Sequence, residues 1–254
     1  MKNFPFHKDA AAVPLILAAL IWLVFGLQQW FGLDGCYGII PLQVDGLKGI
    51  LLSPLFHADF KHIASNTVPL VVLTFLTFYF YEKLAYFVIV FGWIVSGFMV
   101  WIFPAFDFMN STIVSCHVGA SGIIYLLAFF LFFSGVFRKD TALMAVSLVV
   151  VFLYGSMVWG MFPQEIFGKY SDHTISWQSH LAGGICGVLL AFVLRGHGRQ
   201  KLLDFWQQPN YNSVQEEELW QRYKAQFPEY FLEEENSSDE PECPFNLFYR
   251  YRKE

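Results

Sequence analysis

Residues 118–136 read Val-Gly-Ala-Ser-Gly-Ile-Ile-Tyr-Leu-Leu-Ala-Phe-Phe-Leu-Phe-Phe-Ser-Gly-Val. The stretch carries no charge. Its length is close to the roughly 20 residues that an α-helix needs to cross the hydrocarbon core of a bilayer. It opens on small residues around one serine, Ser121, and continues as aliphatic and aromatic side chains. In lipid the backbone must satisfy its own hydrogen bonds, so such a run is read as a helix.

Working outward, five further runs of this kind are predicted, at 11–31, 62–81, 84–104, 141–161 and 177–194, parted by short polar breaks such as Tyr81-Glu82-Lys83 and Arg138-Lys139-Asp140. The whole chain of 254 residues agrees: 56% is hydrophobic, 15% is charged, Phe alone fills 29 positions, and the mean hydropathy is +0.44. A water-soluble globule of this size cannot hide that much apolar surface. The expected fold class is therefore an all-α polytopic membrane protein of six transmembrane helices with a membrane-associated first loop. A net charge of -5 leaves no basic footprint for nucleic acid, and the bilayer is the expected partner.

Charge divides the chain. Residues 195–254 hold 12 of the 21 acidic and 8 of the 16 basic residues, which leaves a nearly neutral body at 1–195 and an acidic tail at 196–254. The tail is expected to be partly disordered apart from a short helix at 214–226. Leu202, Leu203, Phe205 and Trp206 are placed to rest on the inner membrane surface. The first run is read as a retained helix rather than a signal peptide, because no small-residue cleavage pattern follows it. With the N-terminus inside, the inner flanks hold eight Lys/Arg (Lys2, Lys8, Lys83, Arg138, Lys139, Arg195, Arg199, Lys201) and the outer segments three (Lys48, Lys61, Lys169), which favours both termini in the cytoplasm. Segment 32–61 then lies outside. It is too apolar for a freely solvated loop and is expected at the interface, packed on the bundle.

Cys36, Cys116, Cys186 and Cys243 form no CxxC and suggest neither a disulfide framework nor a zinc site. Cys116-His117 is considered as a nucleophile or metal position and set aside. No HExxH is present, and neither metal nor cofactor is called for. Asn110-Ser111-Thr112 and Asn236-Ser237-Ser238 match the glycosylation sequon by pattern, and both are read as chance.

Polar groups within membrane spans are costly, which makes them functional candidates. The second, fourth and sixth predicted spans run from outside to inside. Their first turns carry His62 with Asn66, Gly119-Ala120-Ser121-Gly122, and Trp177-Gln178-Ser179-His180. These groups therefore share one depth below the outer surface. Ser121 needs a base to become a nucleophile, and His180 is the base type available. With no carboxylate at that level in these spans, a Ser-His dyad is expected rather than a triad. His62 and Asn66 share a helix face and can donate to a developing oxyanion, together with the Ser121 N–H. Gly119 and Gly122 leave room for a substrate backbone. Gly183 and Gly187 form a small-residue stripe for close packing on the fourth span, and Tyr125 lies where it can stack on the His180 ring. Alone, a serine between glycines reads as packing glue and Tyr125 as core packing. The combination is what points to chemistry.

These residues resemble the rhomboid family of intramembrane serine proteases, of the bacterial six-helix type. GASG at 119–122 followed by Tyr125 is similar to the family's GxSG nucleophile motif. HADFKHIASN at 57–66 is similar to its His-x4-His-x3-Asn element, and HLAGGICG at 180–187 to its His-x2-Gly-x3-Gly element. The resemblance covers the body and not the tail. It implies a serine endopeptidase in which Ser121 is the nucleophile and His180 the general base, with His62, Asn66 and the Ser121 N–H as the oxyanion hole and His57 in a structural role. It further implies single-span membrane proteins as substrates, cleaved on the outer side within or near their transmembrane segment, with small residues at the cleavage site and helix-breaking residues nearby. Water must reach Ser121 from outside, so loop 162–176 and the fifth span are expected to form the lateral gate. Many family members carry a Trp-Arg pair in the first loop where this chain has Lys48-Gly49-Ile50. A non-proteolytic rhomboid-like scaffold is the alternative, although such members usually lack the Ser or the His. A solute transporter is disfavoured by the lack of an internal repeat and of charged mid-depth residues.

Overall fold

The computed structural model describes residues 8–33, 35–103, 116–140, 143–145, 148, 160–162, 176–197 and 214–227. Among the described residues the helices traced over their length are α1 (Lys8–Phe31), α2 (Lys48–Leu52), α3 (Phe60–Ile102), α4 (Ser121–Arg138), α5 (Trp177–Val193) and α6 (Val214–Gln226), with 3₁₀ turns at Val44–Gly46 and Leu194–Gly196. Among the described residues the only extended pairing is an isolated antiparallel bridge between Ile39 and His117. Four of the described helices are long and apolar enough to cross a membrane: Lys8–Phe31, Phe60–Ile102, Ser121–Arg138 and Trp177–Gly196. The chain is an integral membrane protein.

Helix α3 contains the run predicted at 62–81 and most of the run predicted at 84–104. A straight helix of 43 residues would be about 65 Å long, twice the hydrocarbon thickness. The break comes at Glu82, whose φ of 32° and ψ of -104° are not helical, and the rings of Phe78 and Tyr86 meet edge to face across it at 4.7 Å. The predicted span at 141–161 and the gate at 162–176 fall almost wholly outside the described residues.

Among the described membrane-spanning helices α4 is the most deeply packed. Leu126, Leu127, Phe130 and Leu131 are buried, whereas α1 presents Leu15, Ile16 and Leu23 outward. A helix apolar on every side belongs in the interior of a bundle or in lipid, and these two take one role each. Two glycines of α5 set the α4–α5 contact. A Cβ on Gly183 would run into the Gly122 carbonyl, and one on Gly187 into the Leu126 carbonyl. At the far end of α4, Arg138 donates to the Leu194 and His197 carbonyls and to Ser134 Oγ (3.1 Å), and Ser134 in turn bonds the Tyr81 hydroxyl (2.5 Å). One guanidinium thus ties the end of α4 to the turn that ends α5, where the Leu194 carbonyl also accepts from the His197 N–H (2.9 Å).

The first loop packs on the second half of α3. Trp93 Nε1 donates to the Ile50 carbonyl (2.9 Å), Trp101 Nε1 donates to the Gln43 carbonyl (2.8 Å), and Lys48 opens α2 with its ammonium 6.0 Å from the Tyr37 ring centre. Contrary to the reading of scattered cysteines, Cys36 and Cys116 form a disulfide across 80 residues of sequence, with their Cα atoms 6.0 Å apart. Spacing in sequence gave no hint of it. The Ile39–His117 bridge brings the two thiols together. Chain 1–201 forms one compact unit and 202–254 another, and within the second, α6 exposes Leu219, Trp220 and Tyr223.

Candidate active site

Asp59 opens the site. Its carboxylate accepts from the His62 N–H (2.8 Å) as the N-cap of α3, which puts His62 in the first turn and Asn66 one turn on. Both side chains aim at Gly119. A Cβ built there would lie 2.6 Å from His62 Cε1 and Nε2 and 3.5 Å from Asn66 Nδ2. Gly119 also has a φ of 111°, a conformation that only glycine adopts without strain. Asn66 Nδ2 is a buried donor with no hydrogen-bond partner in the structure. Such groups are rare, and each calls for an explanation.

The segment before Ser121 is pinned from below. Gly119 N–H donates to the Ser53 carbonyl (2.8 Å), and Ala120 N–H donates to His57 Nε2 (3.4 Å). His57 is fully buried, edge to face with His62 at 5.1 Å, and its own carbonyl accepts from Gln28 Nε2 (3.1 Å). Burial, with His62 second, pushes its pKa down to about 4, so it is a neutral strut. Ser121 begins α4, where the N–H groups of the first turn have no acceptor within the helix.

From the other side comes α5. The Ser179 carbonyl lies 3.4 Å from the Cβ position of Gly122, so Ser121 and His180 sit in neighbouring turns of touching helices. The His180 ring stacks on Tyr125, with centroids 4.2 Å apart and planes 9° apart. His180 Nδ1 lies 2.8 Å from the Gly160 carbonyl. A carbonyl only accepts, so Nδ1 carries the proton and Nε2 keeps its lone pair. Gly160 is the residue that sequence reasoning passed over: its contribution is a backbone oxygen, and no side chain advertises it. Cys116, bonded to Cys36, is no thiol nucleophile. Of the residues singled out from the sequence, His57, His62, Asn66, Gly119, Ser121, Gly122, Tyr125, His180 and Gly183 gather here, and Gly187 lies one turn further along α5. The described residues contain no group of three His, Cys, Asp or Glu side chains able to hold a metal ion.

The family model described as the Rhomboid domain matches residues 45–197. An uncharacterized protein of Mycobacterium tuberculosis is 35% identical over 188 residues, which span 73% of this chain and 75% of that one, and its counterpart in Mycobacterium bovis is similar to the same degree. An uncharacterized protein of Mycobacterium leprae is 33% identical over 189 residues, 73% of this chain and 72% of its own. The chain belongs to the rhomboid family, whose members are in general intramembrane serine proteases.

Proposed function

We propose that this protein is an intramembrane serine endopeptidase with a Ser121–His180 dyad. The observation that carries the reading is the bond from His180 to the Gly160 carbonyl, which leaves Nε2 basic beside the helix start that bears Ser121. His180 Nε2 takes the Ser121 proton as Oγ adds to the scissile carbonyl. The new oxyanion accepts from the Ser121 N–H, Asn66 Nδ2 and the Nε2 edge of His62. His180 then protonates the leaving amine, and water, activated by the same base, frees the acyl group. Each oxyanion donor contributes about 10²–10³ in rate. The unpartnered Asn66 amide supports this role.

The body at 1–195 is proposed as a six-span domain carrying this site, and 196–254 as a cytoplasmic tail. The site opens to the outer face of a bacterial inner membrane, and the substrates are single-span membrane proteins. The Cys36–Cys116 bond supports that orientation, because disulfides persist in oxidising compartments and both cysteines lie at the end where Ser121 begins its helix. A fluorophosphonate probe applied to the detergent-solubilised protein is the test. It should label wild type and fail on Ser121→Ala and on His180→Ala, and labelling that survives Ser121→Ala refutes the dyad.

A further inference from the structure

His117 has no part in the chemistry above, yet it touches both halves of the site. It is 5% exposed and stands four residues before Ser121. Its backbone is held on one side: its N–H donates to the Ile39 carbonyl (2.9 Å), its carbonyl accepts from the Ile39 N–H (2.9 Å), and the preceding residue is tied to Cys36. Its ring reaches the other side. His117 Nδ1 lies 2.6 Å from Ser176 Oγ, which caps α5 by accepting from the Ser179 N–H (3.3 Å) and bonds Ser179 Oγ at 2.7 Å. Ser179 immediately precedes His180, and its carbonyl packs on Gly122, next to Ser121.

We infer that His117 is a positioning residue, whose imidazole fixes the first turn of α5, and with it His180, against the segment that presents Ser121. The inference rests on the protease reading for its consequence in rate, though not for its geometry. Both ends of the tie are rigid: the disulfide and the Ile39 bridge anchor one, and the helix cap anchors the other. Burial pushes the His117 pKa down to about 4, so the ring is neutral and joins Ser176 by a hydrogen bond rather than by charge. A leucine of similar bulk would fill the space and lose the tie. An asparagine places a polar atom near the Nδ1 position and keeps it. Small errors in placing a catalytic group are expensive in rate, whereas binding of substrate is little affected.

The experiment has two arms on the full-length protein in detergent. The first is the rate of fluorophosphonate labelling at increasing probe concentration. His117→Leu should lower the maximal rate about ten-fold with the half-saturating concentration unchanged, and His117→Asn should recover most of it. The second arm needs no activity: diethylpyrocarbonate modification of His180, read by mass spectrometry. Modification should be slow in wild type, several-fold faster in His117→Leu, and slow again in His117→Asn. Wild-type labelling and wild-type His180 protection in His117→Leu overturn the inference. So does a loss that His117→Asn fails to recover while both variants melt early, since that marks a merely structural residue. If wild type itself resists the probe, the protease reading falls, and the second arm still decides whether His117 positions His180.

Discussion

Gly119→Ala tests the site where the His62 and Asn66 side chains converge. At a φ of 111° an alanine carries backbone strain of about 1–3 kcal/mol. The added methyl lies 2.6 Å from the His62 imidazole, against the roughly 3.5–4.0 Å at which carbon atoms normally meet, so the ring must retreat by about 1 Å. That removes one oxyanion donor, and the maximal rate of Ser121 labelling by a fluorophosphonate should fall about 10²–10³-fold. Thermal unfolding of the same samples should register the strain. His62→Ala separates the two effects, because it removes the donor and also makes room for the methyl. In that background Gly119→Ala should leave the labelling rate nearly unchanged and lower stability by less than it does in wild type. Wild-type labelling and melting in Gly119→Ala would refute the geometry outright. Equal costs in both backgrounds would show that His62 is not the group displaced.

Cleaving the Cys36–Cys116 bond, by Cys36→Ala or an impermeant reductant, should destabilise the protein by about 2–4 kcal/mol, since the bond closes a loop of 80 residues; melting with and without reductant reads this. Acid should weaken the fold in a defined window. His57 and His117 are held near 4, below the ordinary 6.5, so the unfolded chain binds more protons between those values; the stability they contribute is complete above about pH 6.5 and is lost as pH falls toward 4. Replacing either with a non-titrating residue should flatten the melting temperature over that range, and an unchanged profile in both variants refutes the assignment. Arg138→Leu should cost about 1 kcal/mol by removing hydrogen bonds to the Leu194 carbonyl, which keeps the His197 N–H, and to the exposed His197 carbonyl, with little change in labelling at the opposite end of α4. A wild-type melting temperature in that variant argues against the clamp.

What could be read from the sequence is what lipid makes conspicuous. A polar side chain inside an apolar run stands out, so His62, Asn66, Ser121 and His180 announce themselves, and the expected alternation of span direction puts them at one depth. The polar break at 81–83 likewise marks where α3 loses helical geometry. The groups that sequence could not supply act through backbone or through tertiary proximity. The Gly160 carbonyl has no side-chain signature, and the pairing of Cys36 with Cys116 depends on a two-residue bridge that no periodicity encodes. In sequence, His117 stands out only beside Cys116, as part of a nucleophile or metal position. Its bond to Ser176 spans 59 positions and appears only when the two segments are folded together.

On the proposed mechanism, the Gly160 carbonyl accounts for two residues sufficing where soluble serine hydrolases use three. The third group of a triad orients the histidine and holds its proton on the nitrogen away from the serine. A carboxylate performs that task in a water-exposed cleft, but at the depth of a helix's first turn in lipid its charge would have to be desolvated, at a cost of several kcal/mol unless paired. A peptide carbonyl gives the same orientation without a net charge. The stacked Tyr125 ring then restrains the plane of the imidazole, a second constraint that costs no buried charge. Orientation by a neutral dipole and a ring face stabilises the imidazolium less than a carboxylate would. On the proposed mechanism the compensation falls to the oxyanion side, where the His62 and Asn66 side chains converge on Gly119, two residues before Ser121. On this reasoning Asn66→Ala should depress turnover far more than it depresses substrate binding, and a variant that weakens binding alone would place Asn66 with the substrate rather than with the oxyanion.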